Sequence, residues 1–271
     1  ASYDIKLPTT KDFGVDGKYY PVSITSSDED VLVSPDVNNA ARVQVIRPAV
    51  GKQNATAELT VSISDKNANV SASKSFDIIV PALTEEEITT EKELMEKVLA
   101  SYFDGIKGSN ATANNISHDL SPFTEVYEKG GALVWARSDK EMTGHGIVPT
   151  ALNGWEELEA WRLFKSTNPA VITHENLLVT LQNNAKAVTI SSALSSETLG
   201  IYGKLYQQDP VKYADYKELS DLYYREVSAD VIVRGLSSKG NSLTPVTETV
   251  NVTFSLQGSD GTWIASAKYE N

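Results

Sequence analysis

The sequence predicts a mainly β protein built from two β-sandwich modules in tandem. Three observations carry this prediction. Short apolar runs between residues 24 and 80 alternate with polar residues, which is typical of strands with one buried face. Two stretches of this segment recur in the same order further along the chain, which indicates a second copy of the folding unit. A helical stretch precedes the second copy, and helical insertions interrupt it.

The repeat consists of two pairs of matching segments. Residues 26–32, SSDEDVL, match residues 166–172, STNPAVI, and residues 75–83, SFDIIVPAL, match residues 228–236, SADVIVRGL. Within the first copy, apolar residues alternate from Leu59 to Ile63 and again from Phe76 to Val80. About six or seven short strands with turns between them, and no helix, predict a β-sandwich for this copy.

An amphipathic helix is predicted between the two copies. Thr90 and Glu93 have the spacing of a capping box, in which each side chain satisfies an unpaired amide at a helix start. Apolar residues from Met95 to Ile106 then recur at steps of three and four, and Gly105 and Gly108 supply the stop. The continuous apolar stripe predicts that the helix packs onto a module, and we expect it to be the second.

These features divide the chain into three segments. Residues 1–83 form a plain module without a leading helix, which we expect to be truncated at its N terminus. Residues 84–236 comprise the helix and a second, decorated module, with one insertion after Pro122 that includes a strand from Ala132 to Ala136. A second insertion follows the strand at residues 188–190 and contains short helices, one of them opening at Asp209-Pro210. Residues 237–271 form a C-terminal strand pair or the start of a further module.

Composition excludes several classes of function. The net charge of -12 argues against binding to nucleic acid, because a phosphate backbone is bound by clustered Lys and Arg. The chain has no Cys, so disulfides, thiolate catalysis and Cys-ligated metals are excluded. No apolar run approaches the roughly 20 residues of a membrane-spanning helix. The absence of Cys fits an exported bacterial protein that needs no oxidant, and we expect the chain to be a monomer within a larger multidomain protein.

The ordered motifs resemble the atrophied bacterial Ig-like domain family, whose members occur in secreted and cell-surface proteins of mostly Gram-positive bacteria. The matching features of the first copy are the turn at 26–28, the apolar pair at 31–32, the Arg47-Pro48 dipeptide and the strands at 59–63 and 76–80. The second copy has Leu181-Gln182 where Arg-Pro is expected, and Thr25 stands where the family usually has Trp. The resemblance implies two Ig-like modules that act as spacers or binding units.

Candidate catalytic groups are sparse. The imidazoles available as bases are His118, His145 and His174, and two of them lie in the repeat framework, where surface or capping roles are expected. His145 lies in the loop 139–146 with an Asp and a Glu, but the spacing matches no zinc signature. The acidic turn at 28–30 lacks the alternating ligands of a calcium loop. We therefore predict no enzyme activity, no catalytic residue, no metal site and no cofactor.

Aromatic residues concentrate in the two insertions, and they define the candidate ligand site. Sugar-binding modules stack sugar rings on exposed aromatic faces, whereas buried aromatic rings would only fill the core. The candidate ligand-binding residues are Trp135, Trp155, Trp161, Tyr202 and Tyr206.

Two functions follow from these observations. The leading prediction is a non-enzymatic, extracellular segment with a structural or adhesive role in a bacterial cell-surface protein. The alternative is a carbohydrate-binding module accessory to a surface protein that degrades glycans. The expected partners are accordingly a glycan or another surface protein.

Overall fold

A computed structural model describes residues 1–6, 20–34, 42–65, 67–152 and 162–236, together with the backbone of two strands near the C terminus. The chain is mainly β, as predicted, and its strands pair in antiparallel sheets. The strands are β1 (Ile5–Lys6), β2 (Val22–Ser26), β3 (Leu32–Val33), β4 (Arg42–Val45), β5 (Ala55–Asp65), β6 (Val70–Val80), β7 (Glu125–Lys129), β8 (Ala132–Ala136), β9 (Ile147–Thr150), β10 (Lys165–Ser166), β11 (Lys186–Ser196), β12 (Arg225–Val233), β13 (Phe254–Gln257) and β14 (Trp263–Ala267). The helices are α1 (Glu85–Ala100), α2 (Tyr102–Ile106), α3 (Gly200–Gln208) and α4 (Ser220–Tyr223), with a 3-10 helix at Ala214–Leu219.

The chain folds into two compact units. Unit 1 comprises residues 1–100, 124–150 and 193–226, and unit 2 comprises residues 101–123, 151–192 and 227–271. Much of the two predicted insertions therefore belongs to the same unit as the first sequence copy. The predicted boundaries after residues 83 and 236 concern modules in the sequence, and they stay predictions.

The first sequence copy contains two three-stranded sheets, ordered β1-β4-β3 and β2-β5-β6. Buried side chains from both sheets form one hydrophobic core, because alternate residues of a strand point to the same face. Leu32 and Val45 enter this core from the first sheet, and Leu59 and Val80 enter it from the second. The alternation predicted for 59–63 and 76–80 lies in β5 and β6, which are each 11 residues long. Phe76 departs from the expected burial and is 44% exposed.

Helix α1 begins earlier than predicted. Its capping box is formed by Thr84 and Glu87: the Thr84 Oγ1 accepts from the Glu87 amide at 3.2 Å, and the Glu87 Oε2 accepts from the Thr84 amide at 2.9 Å. The predicted start at Thr90 is therefore wrong by more than one turn. The predicted apolar stripe is present, since Met95 and Val98 are fully buried. The helix ends at Ala100, and the predicted remainder forms the separate helix α2.

The rest of unit 1 combines a sheet with a group of short helices. Strand β7 pairs with β8 and β9, and β9 pairs with residues 193–196 of β11. Close packing joins α3 to the segment at 219–220, because a Cβ at Gly203 would lie 2.2 Å from the Leu219 carbonyl oxygen. The helix predicted to open at Asp209-Pro210 is a turn, in which the Asp209 carboxylate accepts from the amides of Val211 and Lys212.

Unit 2 contains the segments of the second sequence copy that match the first, residues 166–172 and 228–236. Strand β10 pairs with β11 through Ser166 and Ile190. An aromatic cluster fills part of the core: Phe123 makes edge contacts with Tyr102 at 6.4 Å and with Phe164 at 5.4 Å between ring centroids. Tyr102 is buried, and its hydroxyl accepts a hydrogen bond of 3.1 Å from Ser192. The strands β13 and β14 form the predicted C-terminal antiparallel pair.

The two sequence copies share one pattern of hydrogen bonds. In the first copy the Ser26 hydroxyl accepts from the Asp28 amide, and the Asp28 carbonyl accepts from the amides of Val31 and Leu32. In the second copy the same three bonds are made by Ser166, Asn168, Val171 and Ile172. The three distances are 3.1, 3.2 and 2.9 Å in the first copy and 3.1, 3.0 and 3.0 Å in the second, so equivalent bonds agree within 0.2 Å. The matched segments therefore have one local structure.

The correspondence extends beyond this turn. The Asp4 carboxylate accepts from the Val45 amide at 3.0 Å, and the Asp119 carboxylate accepts from the Val179 amide at 2.7 Å. Each copy has one further equivalent bond of 2.8 Å. In the first copy the Leu83 amide donates to the Pro48 carbonyl, and in the second the Leu236 amide donates to the Gln182 carbonyl. Gln182 thus occupies in the second copy the place that Pro48 occupies in the first.

Among the described residues, no helix is long and apolar enough to cross a bilayer.

Candidate functional site

The structure separates the aromatic residues that the sequence singled out. Trp135 lies on β8, half-buried and opposite Val126 of β7. Tyr202 lies on α3 and is only 3% exposed, whereas Tyr206 lies one turn further along and is half-buried. Trp155 and Trp161 lie outside the described residues. Tyr202 lines two neighbouring cavities.

Arg47, next to Tyr202, connects three parts of unit 1. Its guanidinium donates to both carboxylate oxygens of Glu87, at 2.8 and 2.9 Å, in the two-pronged geometry that suits an Arg–carboxylate pair. It also donates to the backbone carbonyls of Pro81 and Ala82 at 3.0 and 2.8 Å. The segment after β4, the segment after β6 and the first turn of α1 are thereby joined through one side chain. We call Arg47 and Glu87 the Arg47 clamp.

Two tyrosines of the second insertion complete this connection. The Tyr216 hydroxyl donates to the Arg47 carbonyl at 2.7 Å, and the Arg47 amide donates to the Tyr202 hydroxyl at 3.3 Å. The two tyrosine rings lie 5.1 Å apart in a tilted arrangement. Burial raises the pKa of both phenols, so both stay protonated at neutral pH. These rings therefore attach the inserted helices to the first sequence copy.

The clamp is electrostatically matched. The hydrogen bonds from Arg47 hold the pKa of Glu87 below its ordinary value, against the opposing effect of burial. Burial alone would lower the pKa of Arg47, but the hydrogen bond to Glu87 and its charge outweigh burial and raise that pKa. Each partner therefore stabilises the charged form of the other.

A second feature is the cleft that Tyr202 borders, which we call the His145 cleft. Two cavities of about 400 and 540 Å³ share Tyr3, His145, Thr198 and Tyr202 among their lining residues. The His145 ring meets the Tyr3 ring edge-on, with centroids 5.5 Å apart. Glu91 lines one cavity, and Glu197 lines the other. The loop 139–146, in which the sequence places His145 with an Asp and a Glu, thus supplies a side chain that lines the cleft.

Glu125 on β7 holds this loop in place. Its buried carboxylate accepts from the Thr143 hydroxyl at 2.7 Å and from the His145 amide at 3.0 Å, and it also accepts from the Thr143 amide. Burial tends to raise the pKa of Glu125, but these hydrogen bonds lower it below its ordinary value. Gly146 follows in close contact, since a Cβ there would lie 2.4 Å from the Val126 carbonyl oxygen.

The two other glutamates have the opposite electrostatic character. Burial raises the pKa of Glu91, although the Ser196 hydroxyl donates to it at 2.7 Å and His145 lies near enough to oppose the shift. Burial also raises the pKa of Glu197, and the charge of Glu125 adds to that effect. The cleft therefore contains carboxyl groups that are protonated more readily than ordinary surface glutamates.

Some acidic and histidine side chains of the described residues have structural partners. There, no three His, Cys, Asp or Glu side chains come together in a way that could hold a metal ion. In the loop 139–146, Glu141 accepts from the Arg137 amide at 2.6 Å. His174 accepts from the Ser166 amide through Nδ1 at 3.1 Å, which is the structural role expected for it.

Comparison with known proteins leaves the fold unassigned. No protein-family model matches the chain, and no curated protein or solved structure gives a significant match. The resemblance to the atrophied bacterial Ig-like family therefore stays a prediction.

Sequence reasoning missed the glutamates that shape these sites. Glu91 lies on the buried face of α1, between apolar positions, and Glu125 is buried at the start of β7. A carboxylate at an otherwise apolar position is the one available signal, because charged residues are seldom fully buried without a partner. Arg47 was noted only as part of the Arg-Pro motif, and its partners 40 and 155 residues away could not be read from the sequence.

Proposed function

We propose that the chain is a non-enzymatic, load-bearing segment of an extracellular bacterial surface protein, built from two related Ig-like modules. The observation that carries the proposal is the Arg47 clamp. It uses a buried guanidinium, 8% exposed, to fix a strand end, a connecting segment and a helix start to one another. A connection of this kind serves rigidity and has no evident role in turnover of a substrate.

The tyrosines extend the same argument. Tyr202 and Tyr216 bond to the backbone of Arg47 and pack against each other, so the inserted helices reinforce the first copy. The shared turn pattern at residues 26 and 166 supports descent of both copies from one module. Repeated modules joined by stiff elements are suited to holding a binding surface away from a cell.

Two measurements test the proposal. Antibodies raised against the chain should label intact cells of the source organism, and labelling only after lysis would refute the extracellular setting. In single-molecule stretching, the whole chain should resist extension at its clamp. The variant Arg47→Met should unfold at a clearly lower force than the natural chain.

A matched variant separates the clamp from general charge effects. Arg42 forms an ion pair with Asp4 at 3.6 Å, and its side chain is 65% exposed. Arg42→Met should therefore leave the unfolding force unchanged, because exposed ion pairs contribute little. Equal forces for both variants would contradict a load-bearing role for the clamp.

A further inference from the structure

A groove lined by tyrosines lies beside the Arg47 clamp in unit 1. Two cavities of about 380 and 370 Å³ share Ala49, Asp215 and Tyr216 as lining residues. Tyr213 lines the first cavity, and its ring is nearly parallel to that of Tyr216, at 24° and with centroids 6.1 Å apart. We call the two cavities together the tyrosine groove. Each has a volume within the range that accommodates small organic ligands.

Ion pairs occur along this groove. Lys212 contacts Asp30 at 2.6 Å and Lys52 contacts Asp215 at 3.0 Å, and all four residues line the first cavity. In the second cavity the corresponding pair is Lys92 with Glu218, at 3.8 Å. Each pair places an ammonium donor beside a carboxylate acceptor, so a polar group that both donates and accepts can bond to either side.

The groove is apolar between these pairs. Val31, Ile46 and Pro48 line the first cavity, and Leu83 and Ile88 line the second. The Lys212 ammonium also lies 5.1 Å from the centre of the Tyr213 ring, which fixes a donor next to an aromatic surface. The groove thus alternates apolar surface with closely spaced donors and acceptors.

We propose that the tyrosine groove binds a neutral oligosaccharide. A sugar ring has an apolar C–H face, which suits the half-buried Tyr213 ring and the aliphatic surface, and a rim of hydroxyl groups, each of which donates and accepts. Because the charges of Lys and Asp or Glu cancel within each pair, the rim attracts hydroxyl groups without favouring a net charge on the ligand. The two cavities allow two neighbouring rings to bind.

This inference goes beyond the load-bearing role and does not depend on it. It also relocates the carbohydrate site predicted from the sequence, since neither Tyr202 nor Tyr206 lines the tyrosine groove. Tyr206 therefore provides a matched control, as a half-buried tyrosine of the same insertion that lies outside the groove.

The test is a glycan array probed with the full chain, followed by calorimetric titration of the best-bound sugar. The array should include neutral oligosaccharides of glucose, galactose, mannose and N-acetylglucosamine, together with uronic-acid, sulfated and amino sugars. We expect binding to neutral members. Tyr213→Ala should weaken binding by about tenfold, as for a central aromatic contact, whereas Tyr213→Phe and Tyr206→Ala should bind like the natural chain.

Lys52→Met supplies a second variant in case Tyr213→Ala fails to fold. The Lys52 side chain is 56% exposed, so its replacement should leave the fold intact and still weaken binding severalfold. Three results would overturn the proposal: a blank array with folded protein, binding confined to charged glycans, or unchanged affinity in both Tyr213→Ala and Lys52→Met.

Discussion

The Arg47 clamp makes a quantitative prediction for stability. Replacing Arg47 with Met keeps an unbranched apolar stem but removes the guanidinium. The Pro81 and Ala82 carbonyls then lose their side-chain donor, and Glu87 loses both of its hydrogen bonds from Arg47. Breaking a buried pair costs about 3–5 kcal/mol, but the Glu87 side chain is 43% exposed and can be rehydrated. We therefore expect a loss of about 3 kcal/mol, the lower end of the range for a buried pair.

Urea unfolding followed by far-ultraviolet circular dichroism measures this loss. The natural chain, Arg47→Met, Arg47→Lys and Arg42→Met should be compared at neutral pH. Arg47→Lys should fall between the natural chain and Arg47→Met, because Lys cannot reproduce the two-pronged contact. Arg42→Met should change the free energy of unfolding by less than about 0.5 kcal/mol, as is usual for an exposed pair. If Arg47→Met and Arg42→Met destabilise equally, the clamp does not stabilise unit 1 as argued.

Three further predictions concern other parts of the fold. Burial raises the pKa of Glu91 above 4.5, so the folded state binds this proton more tightly, and the stability that protonation provides is lost as pH rises through the folded pKa. Glu91→Gln should therefore be more stable than the natural chain at pH 7 and similar to it below pH 4.5, and a constant difference at all pH values in urea titrations would contradict this. Gly203→Ala should lower the free energy of unfolding in urea by about 3 kcal/mol, the upper end of overpacking effects, because its Cβ would lie 2.2 Å from the Leu219 carbonyl oxygen. Gly51→Ala is the control: the space around its Cβ is open, so only its φ of +78° opposes the substitution, and it should cost about 1 kcal/mol. Asp4→Ala and Asp119→Ala should each cost about 1 kcal/mol in thermal unfolding, since both carboxylates accept the equivalent strand amide, and a neutral result for one alone would show that the two copies do not use the bond equally.

Local sequence patterns predicted several of the strands, but not β7 or β9. Alternation located parts of β5 and β6, because a strand with one buried face must place apolar residues at every second position. The repeat was also readable, since turn hydrogen bonds depend on residues only a few positions apart. The same reasoning predicted a pair of strands at the C terminus, and β13 and β14 pair as expected.

The start of α1 shows the limit of local reasoning. Two segments have capping-box spacing, Thr84 to Glu87 and Thr90 to Glu93, and both precede apolar residues at helical intervals. The first of them forms the cap because Glu87 also bonds to Arg47, a partner 40 residues away. Choosing between the two required knowledge of a tertiary contact.

The residues of the candidate ligand sites were harder to predict from the sequence than the strands or the helix start. Tyr202 was selected for an exposed face, but it is buried against the backbone of Arg47. Tyr213 and Tyr216 lie in the same insertion as Tyr202 and Tyr206, and nothing in the sequence distinguishes the rings that line the groove from the others. Which face of a short helix is exposed depends on where the helix docks, and here the docking partner is in the first 100 residues.

The wide sequence separation of these contacts affects how the protein is made. Arg47 bonds with Tyr202 and Tyr216 across 155 and 169 residues. At a synthesis rate of about 5 to 20 residues per second, the first copy waits about 8 to 34 seconds on the ribosome before these tyrosines are made. Contacts of such high sequence separation also form slowly once synthesis ends. During that interval the backbone of Arg47 lacks its two tyrosine partners, so the nascent first copy presents an incomplete surface.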